Sequence, residues 1–450
     1  MQRIQSRALI TTFIVLLSSL SVPAQETRSL LTIDTAVASA LESHPSIAAS
    51  RNQSDASQLS LESARNARLP RGWASATATQ FEEPMVVTPI HGFSPGMQPE
   101  FDSTTIQASL AFDYAILDGG ALRGRIGNAE AGAGKAKEAA ISTRQSIALQ
   151  TAATYLNILS LARTLDAQDQ RIEALDEEEK RVGQLLEVGR AAEVDRLRVE
   201  AAVAAAAAER ITTASQLDAV ERSLARMTSL PLHNTRARQL TDVLPFRTHV
   251  SNRDQLIESA SNANPRIRLA QQEALSRKSS ILLAEAILRP KLNFVASWNE
   301  FGGPDVSFTN EWQAGFQLRV PLYDGGAANK QVAAAKAAWH AAENDIRAAR
   351  LEIEDAIDQV LIRLDQSRAT IDSLSRAEER YAEVARIENL RLELGAGTQA
   401  DYLRAEADLV ATRTQLASAH YRTIIHRIEL AHLTGELDEQ WLSHQTRNQS

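Results

Sequence analysis

A strand pattern and a helix pattern meet in the sequence WQAGFQLRVPLYDGG, at residues 312–326. Its first nine residues alternate apolar side chains with polar or small ones, and this period of two predicts a β-strand. An Asp-Gly-Gly turn follows at residues 324–326, and no proline occurs after Pro321. Because proline breaks helices, the long proline-free remainder favours helix. The stretch therefore predicts a strand that turns sharply into a long helix.

The same order of elements occurs earlier in the chain. Three matches share one offset in the numbering, 206, namely Asp118 with Asp324, Gly189 with Gly395, and Asp195 with Asp401. Two more share a longer offset, 220, namely Pro45 with Pro265 and Pro70 with Pro290. The offsets differ because the first copy carries extra residues, which fall in the Pro/Gly-rich stretch 82–102 and predict an enlarged loop. The chain therefore contains one unit twice.

Each copy is expected to form a long helical hairpin. Residues 121–186 would span about 100 Å as a helix, and apolar residues recur with the alternating steps of a coiled-coil seam. The seam residues are Leu161, Leu165, Ile172, Leu175, Val182 and Leu186 in the first copy, and Ile357, Val360, Leu364, Ile371, Leu374, Tyr381 and Leu392 in the second. Glycine turns end both helices. The hairpin tips are predicted at about residues 187–195 and 393–401.

These patterns divide the chain into five parts. We expect a signal peptide at residues 1–24, a first structural repeat at 25–230, a linker at 231–252, a second repeat at 253–437 and a C-terminal tail at 438–450. Arg3 and Arg7 precede a short apolar stretch, and small residues end at Ala24, as in exported chains. The chain contains no cysteine, so the sequence predicts that it is not lipidated.

Four strands are predicted, at about residues 73–81, 105–117, 292–301 and 311–323. Their apolar and polar faces fit either a small soluble sheet half-buried on helices or strands that cross an outer membrane. Four aromatic residues near the strand ends favour the membrane, where they would lie at the interface with water: Trp73, Trp298, Trp312 and Tyr323. Four strands cannot close a membrane barrel, so the chain must pool its strands with copies of itself.

Composition excludes several other classes of protein. The net charge of −8 gives little support for nucleic-acid binding. The spacing of His420, His426 and His432 scatters them around a helix instead of pairing them as metal ligands. No nucleophile and base can be paired, so we predict no catalytic residue, metal or cofactor, and no enzyme. A periplasmic coiled-coil adaptor is an alternative, although adaptors usually carry one hairpin beside domains rich in short strands.

The chain resembles the TolC-like outer-membrane efflux protein family over about residues 30–440. The resemblance rests on the order of elements, on the corner at 320–326, on the second tip at 394–403 and on the end of the last helix at 431–437. It implies a mainly α fold with a membrane β-barrel, in which three chains form a 12-helix α-barrel under a 12-stranded β-barrel. The linker would lie in an equatorial band.

The resemblance also implies partners and a location. The homotrimer would lie in the outer-membrane lipid of a Gram-negative bacterium and reach through the periplasm. There it would meet a periplasmic adaptor, or membrane fusion protein, which connects it to an inner-membrane pump. Drug or small-molecule efflux is the expected cargo class, and type I protein secretion is the alternative.

The tips carry the site residues that the resemblance implies. Asp401 matches a ring of carboxylates at the channel aperture, Arg404 stands where TolC has a second acidic residue, and Asp195 faces the same region. Gly397 replaces a basic residue of TolC, so either Arg190 or Arg404 would pair with Asp195. The residues implied in adaptor docking are Gly189, Arg190, Gly395, Gly397 and Thr398. Alternatively, the glycines only turn the chain, and the two aspartates only begin the return helices.

Overall fold

The structure is a computed structural model that describes residues 30–91, 99–244 and 252–447. Over these residues the chain forms nine α-helices and one four-stranded sheet. The predicted signal peptide at 1–24 lies outside the described residues. Among the described residues, no helix combines the length and apolar character that a membrane crossing requires.

The elements follow one another in the same order in both halves of the chain. The first half contains α1 (Ile33–Ser43), α2 (Pro45–Asn66), β1 (Arg71–Val86), β2 (Phe101–Leu117), α3 (Ala121–Glu187) and α4 (Glu193–Thr228). The second half contains α5 (Arg253–Ala263), α6 (Pro265–Glu285), β3 (Lys291–Gly302), β4 (Thr309–Arg319), α7 (Ala327–Glu393) and α8 (Gln399–Thr434). A last helix, α9, spans Glu439–Arg447.

The duplication extends to the lengths of the helices. Helices α3 and α7 each contain 67 residues, and α4 and α8 each contain 36. The first residues of α3 and α7, and those of α4 and α8, are separated by the offset of 206 found in the sequence. The first residues of α1 and α5 are separated by the offset of 220. The internally duplicated pair of long helical hairpins predicted from the sequence is therefore confirmed.

An Asp-Gly-Gly corner connects β2 to α3, and a second one connects β4 to α7. Gly325 and Gly326 have φ angles of 70° and 83°, a left-handed conformation that glycine adopts without a steric penalty. The Asp324 carboxylate accepts hydrogen bonds from the backbone N–H groups of Gly326 (2.9 Å) and Ala328 (2.7 Å). Since the first N–H groups of a helix have no partner within it, this carboxylate caps α7. Asp118 caps α3 in the same way.

The sheet is antiparallel throughout, in the order β1-β2-β3-β4. The predicted enlarged loop at 82–102 is shorter than expected, because 82–86 continue β1 and 101–102 begin β2. The extra residues of the first copy therefore lengthen two strands as well as the loop. The last strand was predicted to reach Tyr323, but β4 ends at Arg319. Pro321 has no N–H, and β4 is the sheet edge, so no strand of the same chain is available to extend the pairing.

The largest hydrophobic core lies where the linker crosses the helices. Tyr155 of α3 is fully buried there, and its hydroxyl lies 2.7 Å from the carbonyl oxygens of both Leu31 and Thr241. The described part of the linker, 231–244, pairs with the start of the chain through Leu31 and Leu240. In the C-terminal tail, α9 packs on α1 and buries Leu442 completely. The linker and the tail thus pack on helices of both halves of the chain at this level.

We expect Asp324→Ala to lower the stability of the protein, because two N–H groups at the start of α7 lose their acceptor. The loss should be about 1–2 kcal/mol, the usual range for removal of a helix cap. Asp345→Ala, an exposed position within the same helix, is the matched control. Thermal unfolding in detergent would show a lower midpoint for Asp324→Ala alone. Equal midpoints for the two variants would contradict the capping role.

Candidate functional site: the hairpin tips and the sheet faces

The first tip is a tight turn without a side-chain cap. Gly189 takes a φ angle of 71°, and the backbone N–H of Arg190 donates to the carbonyl oxygen of Leu185 at 2.7 Å. Helix α4 then begins after Ala192, whose side chain has no group that could cap it. Among the described residues, the Arg190 side chain makes no ion pair. The first tip therefore presents a free cation beside an uncapped helix start.

The second tip is more strongly constrained. Gly395 has a φ angle of 71°, and a Cβ atom at Gly397 would lie 3.1 Å from the backbone nitrogen of Leu392. The Thr398 hydroxyl accepts a hydrogen bond from the N–H of Asp401 (3.2 Å) and donates one to its carboxylate (2.7 Å). Thr398 thus caps α8 and holds the carboxylate of Asp401 in place, a role that no residue fills at the first tip.

The two tips share an aspartate followed three residues later by an arginine, but they use the pair differently. At the first tip, Arg198 lies 3.2 Å from Asp195. Neither of the predicted partners, Arg190 and Arg404, pairs with Asp195 within one protomer, because Arg198 on the same helix face already does. At the second tip the Asp401 carboxylate instead accepts a hydrogen bond from the Thr398 hydroxyl. Arg404 is exposed and makes no ion pair among the described residues.

Behind the tips lies a buried charged cluster that the sequence analysis missed. Glu178 has a side chain that is only 5% exposed, and both of its oxygens accept from Arg181, at 2.7 and 2.6 Å. Tyr402 of α8 is buried near this pair, and burial raises the pKa of its hydroxyl to about 12. A signal was available, because Glu178 lies between Leu175 and Val182 at the spacing of the apolar seam itself.

One turn above Tyr402, a second carboxylate lacks a close ion pair. Burial raises the pKa of Glu406, against the opposing attraction of Arg413 and Arg171. Arg413 instead pairs with Glu378 at 3.0 Å, and Arg171 pairs with Glu209 at 3.4 Å. Burial therefore makes the charge of Glu406 costly in the folded state and favours the neutral carboxyl.

The strand register separates an apolar face of the sheet from a polar face. On the apolar face, the ring of Phe294 lies 6.3 Å from that of Phe112 and 5.4 Å from that of Phe316, measured between centroids. On the polar face, Ser75 hydrogen-bonds Ser109 at 2.7 Å, and Gln313 donates to Ser297 at 3.1 Å. Residues directly opposite one another share a face, so each face runs across all four strands.

The register divides the predicted interfacial aromatics between the two faces of the sheet. Trp298 lies opposite Trp312, and Leu110 joins them on the apolar face. Trp73 lies opposite Ala111, one residue out of phase with Leu110, and therefore on the polar face. Trp73 does not belong with the other two tryptophans, because proximity to a strand end does not determine the face. Tyr323 lies beyond the end of β4 and is 91% exposed.

Comparison with known proteins agrees with this geometry. The family model for outer membrane efflux proteins matches residues 36–229 and 256–436, one stretch in each half of the chain. The chain belongs to the outer membrane efflux protein family. The family is one of channels in the outer membrane, not of enzymes, and the predicted TolC-like resemblance is confirmed.

Named relatives and solved structures extend the match over most of the chain. The chain is 23% identical to the outer membrane efflux protein BepC of Brucella suis, over 78% of this chain and 77% of BepC. It is 22% identical to TolC of Escherichia coli, over 66% and 63% respectively. The structure of VceC from Vibrio cholerae superposes with a TM-score of 0.75 at 17% identity, covering 90% of this chain and 96% of VceC. The CmeC channel of Campylobacter jejuni gives 0.76 at 15% identity, covering 92% and 89%.

We expect Glu406→Gln to raise the thermal midpoint at neutral pH by about 1–3 °C. The folded state raises the pKa of this carboxyl, so its charge costs stability only above the unfolded pKa of about 4.3. The difference between variant and parent should therefore vanish near pH 4 and grow as the pH rises. Asp408→Asn, at an exposed position on the same helix, is the control and should show no such trend. A gain independent of pH would contradict the assignment.

Proposed function

We propose that three copies of the chain form an outer-membrane exit duct for a tripartite export system. The observation that carries the proposal is the two-faced sheet with two unpaired edges, β1 and β4. Three such sheets would supply twelve strands, with the apolar faces toward lipid and the polar faces toward a water-filled lumen. The long hairpins would then extend about 100 Å from the membrane, as 67 residues of helix allow.

The duct conducts passively and takes its energy from its partners. We propose that a periplasmic adaptor docks on the two tips and connects them to an inner-membrane pump. The first tip offers the free guanidinium of Arg190, and the second offers the turn around Gly395 and Gly397 with Thr398 fixed beside it. These exposed groups support docking because contacts concentrate on loops held by rigid elements. Export by a signal peptide, without lipidation, belongs to the same proposal.

The cargo class that we favour is drugs or other small molecules, and the name of the relative BepC, an outer membrane efflux protein, supports efflux as the mode of export. A second candidate is protein secretion. The chain is 26% identical to the proteases secretion protein PrtF of Dickeya chrysanthemi, over 57% of each chain. The pump identified through the adaptor would decide between the two classes.

Docking at the tips can be tested by crosslinking in living cells. We expect single cysteines in place of Arg190 and Ala396 to capture the adaptor, because both positions lie at the ends of the hairpins. The natural chain has no cysteine, so the background is clean. A cysteine in place of Asp345, far along α7, is the matched control and should capture none. Equal capture at Asp345, or none at either tip while export proceeds, would overturn tip docking.

The aperture can be tested by conductance in planar bilayers. Three copies of Asp401 around the axis would attract cations, and three exposed Arg404 side chains would oppose them. We expect Asp401→Asn to lower the cation-to-anion permeability ratio by about twofold or more, and Arg404→Gln to raise it. Asp195→Asn is the control, since Arg198 already balances that carboxylate. Unchanged selectivity in both Asp401→Asn and Arg404→Gln would exclude Asp401 and Arg404 from the aperture.

A further inference from the structure

The contact between the two halves of one copy predicts the contact between neighbouring copies. Within the chain, the first half meets the second where β2 pairs with β3 and where α3 packs on α6 and α8. The outer strands of the sheet, β1 and β4, have no further strand beside them among the described residues. In the duplication, β4 is the counterpart of β2, and β1 is the counterpart of β3. If copies of the chain form a ring, β4 of one copy is therefore expected to pair with β1 of the next as β2 pairs with β3.

The register of the two hairpins establishes which residues are equivalent. In the first hairpin Arg71 lies opposite Asp113, and in the second Lys291 lies opposite Arg319. The longer sequence offset relates Arg71 to Lys291, and the shorter one relates Asp113 to Arg319. The same offsets relate Gln80 and Thr104 to Glu300 and Asn310 at the other end of the shared register. The equivalence therefore holds without interruption from one end of this register to the other.

We propose that β4 of one copy pairs with β1 of the next in the register that places Leu318 opposite Ala76 of the partner subunit. This register repeats the pairing of Phe112 with Ala296 inside the chain. It rests on the proposed trimeric duct and adds to it the residues that close the barrel.

Side-chain sizes on the apolar face fit this register. β4 presents Phe316 and Leu318, which are 70% and 63% exposed in one copy. Opposite them, β1 presents small residues, with Phe316 meeting Ala78 of the partner subunit and Leu318 meeting Ala76 of the partner subunit. On the polar face, Gln317 lies opposite Thr77 of the partner subunit. A register shifted by one residue would place Phe316 and Leu318 on the polar face. The separation of the two faces therefore excludes a one-residue shift.

The same register accounts for the exposed corner after β4. Leu322 and Tyr323 are 92% and 91% exposed, although their counterparts, Ile116 and Leu117, belong to β2. In β2 the terminal residue Leu117 pairs with Leu292 of β3. The equivalent position brings Tyr323 beside Gly72 of the partner subunit. The corner thus gains from the next copy the strand that its own chain lacks.

The equivalence between the contact within one copy and the contact between copies does not extend to the first turns of the long helices α3 and α7. A Cβ atom at Gly124 would lie 2.8 Å from Leu283 of α6, and one at Gly134 would lie 2.5 Å from Gln272, so α3 and α6 approach closely because these residues are glycine. The counterparts on α7 are Lys330 and His340. The facing residues also differ, since the counterparts of Leu283 and Gln272 on α2 are Ser63 and Asn52. The helix contact inside one copy therefore does not define the contact between copies, and the proposal is confined to the strands.

Engineered disulfides distinguish this register from its neighbours. Residues directly opposite in an antiparallel pair have Cα atoms about 4.5–5.5 Å apart, within the range that a disulfide spans. A slip of two residues leaves them about 7–8 Å apart, beyond that range. Within one copy, β1 and β4 are three strand spacings apart, about 14 Å, so only a bond between copies can form.

The predicted pairs are Gln317→Cys with Thr77→Cys, and Arg319→Cys with Ser75→Cys. The slipped controls are Gln317→Cys with Ser75→Cys, and Gln317→Cys with Thr79→Cys. After mild oxidation of the outer-membrane protein, we expect both predicted pairs to give covalent trimers on non-reducing denaturing gels. The slipped pairs should remain at least about tenfold less crosslinked, because their Cα separation is too long for a disulfide.

Native mass measured in detergent separates the two proposals. Trimers that crosslink through a slipped pair, or through no pair, would overturn the register and leave the exit duct standing. A monomeric mass for every variant and for the unmodified chain would overturn both.

Discussion

The unpaired edges of the four-stranded sheet are the constraint on which the rest of the structure depends. Every N–H and C=O group on the outer side of β1 and β4 needs a hydrogen-bonding partner, and hydrocarbon supplies none. Each unsatisfied group would cost several kcal/mol in lipid. With the four strands that the described residues form, one chain therefore cannot close a barrel alone in a membrane. The duplication provides the remedy, because a unit whose halves pair with one another can pair with its own copies in the same way.

The corners transmit this constraint from the sheet to the helices. At both corners an aspartate caps the long helix, and two left-handed glycines lie between that aspartate and the first residue of the helix. Only a few residues connect strand to helix, so the position of each strand in a closed barrel determines where its helix begins. The glycines of α3 allow its close approach to α6, whereas Lys330 and His340 occupy the equivalent positions of α7. If three copies assemble as proposed, the helix contacts between copies are therefore expected to differ from those within one copy.

Much of the fold was predictable because the same residue patterns occur in both halves of the chain. Two constant offsets related the elements of the second copy to those of the first, and the seam residues indicated the long helices. The face of Trp73 was not predictable, since an aromatic near a strand end does not establish the register. The end of β4 depends on whether a neighbouring strand is present, which sequence patterns within one chain do not encode. The buried Glu178 and its partner Arg181 were not predicted, because the seam spacing shows which helix face is covered and not that a charged side chain on it is buried where α3 meets α8.

The two tips are equivalent in sequence position and different in physical character. Thr398 caps α8 and holds the Asp401 carboxylate, so the start of α8 at the second tip is fixed by contacts within one copy. Ala192 gives α4 no cap, and the Arg190 side chain remains free among the described residues, so the first tip keeps more conformational freedom. If a partner docks on both tips as we propose, it would restrict the first tip more than the second. If the second tip also forms the proposed aperture, its charged groups would need no rearrangement, because Thr398 already holds the Asp401 carboxylate within one copy.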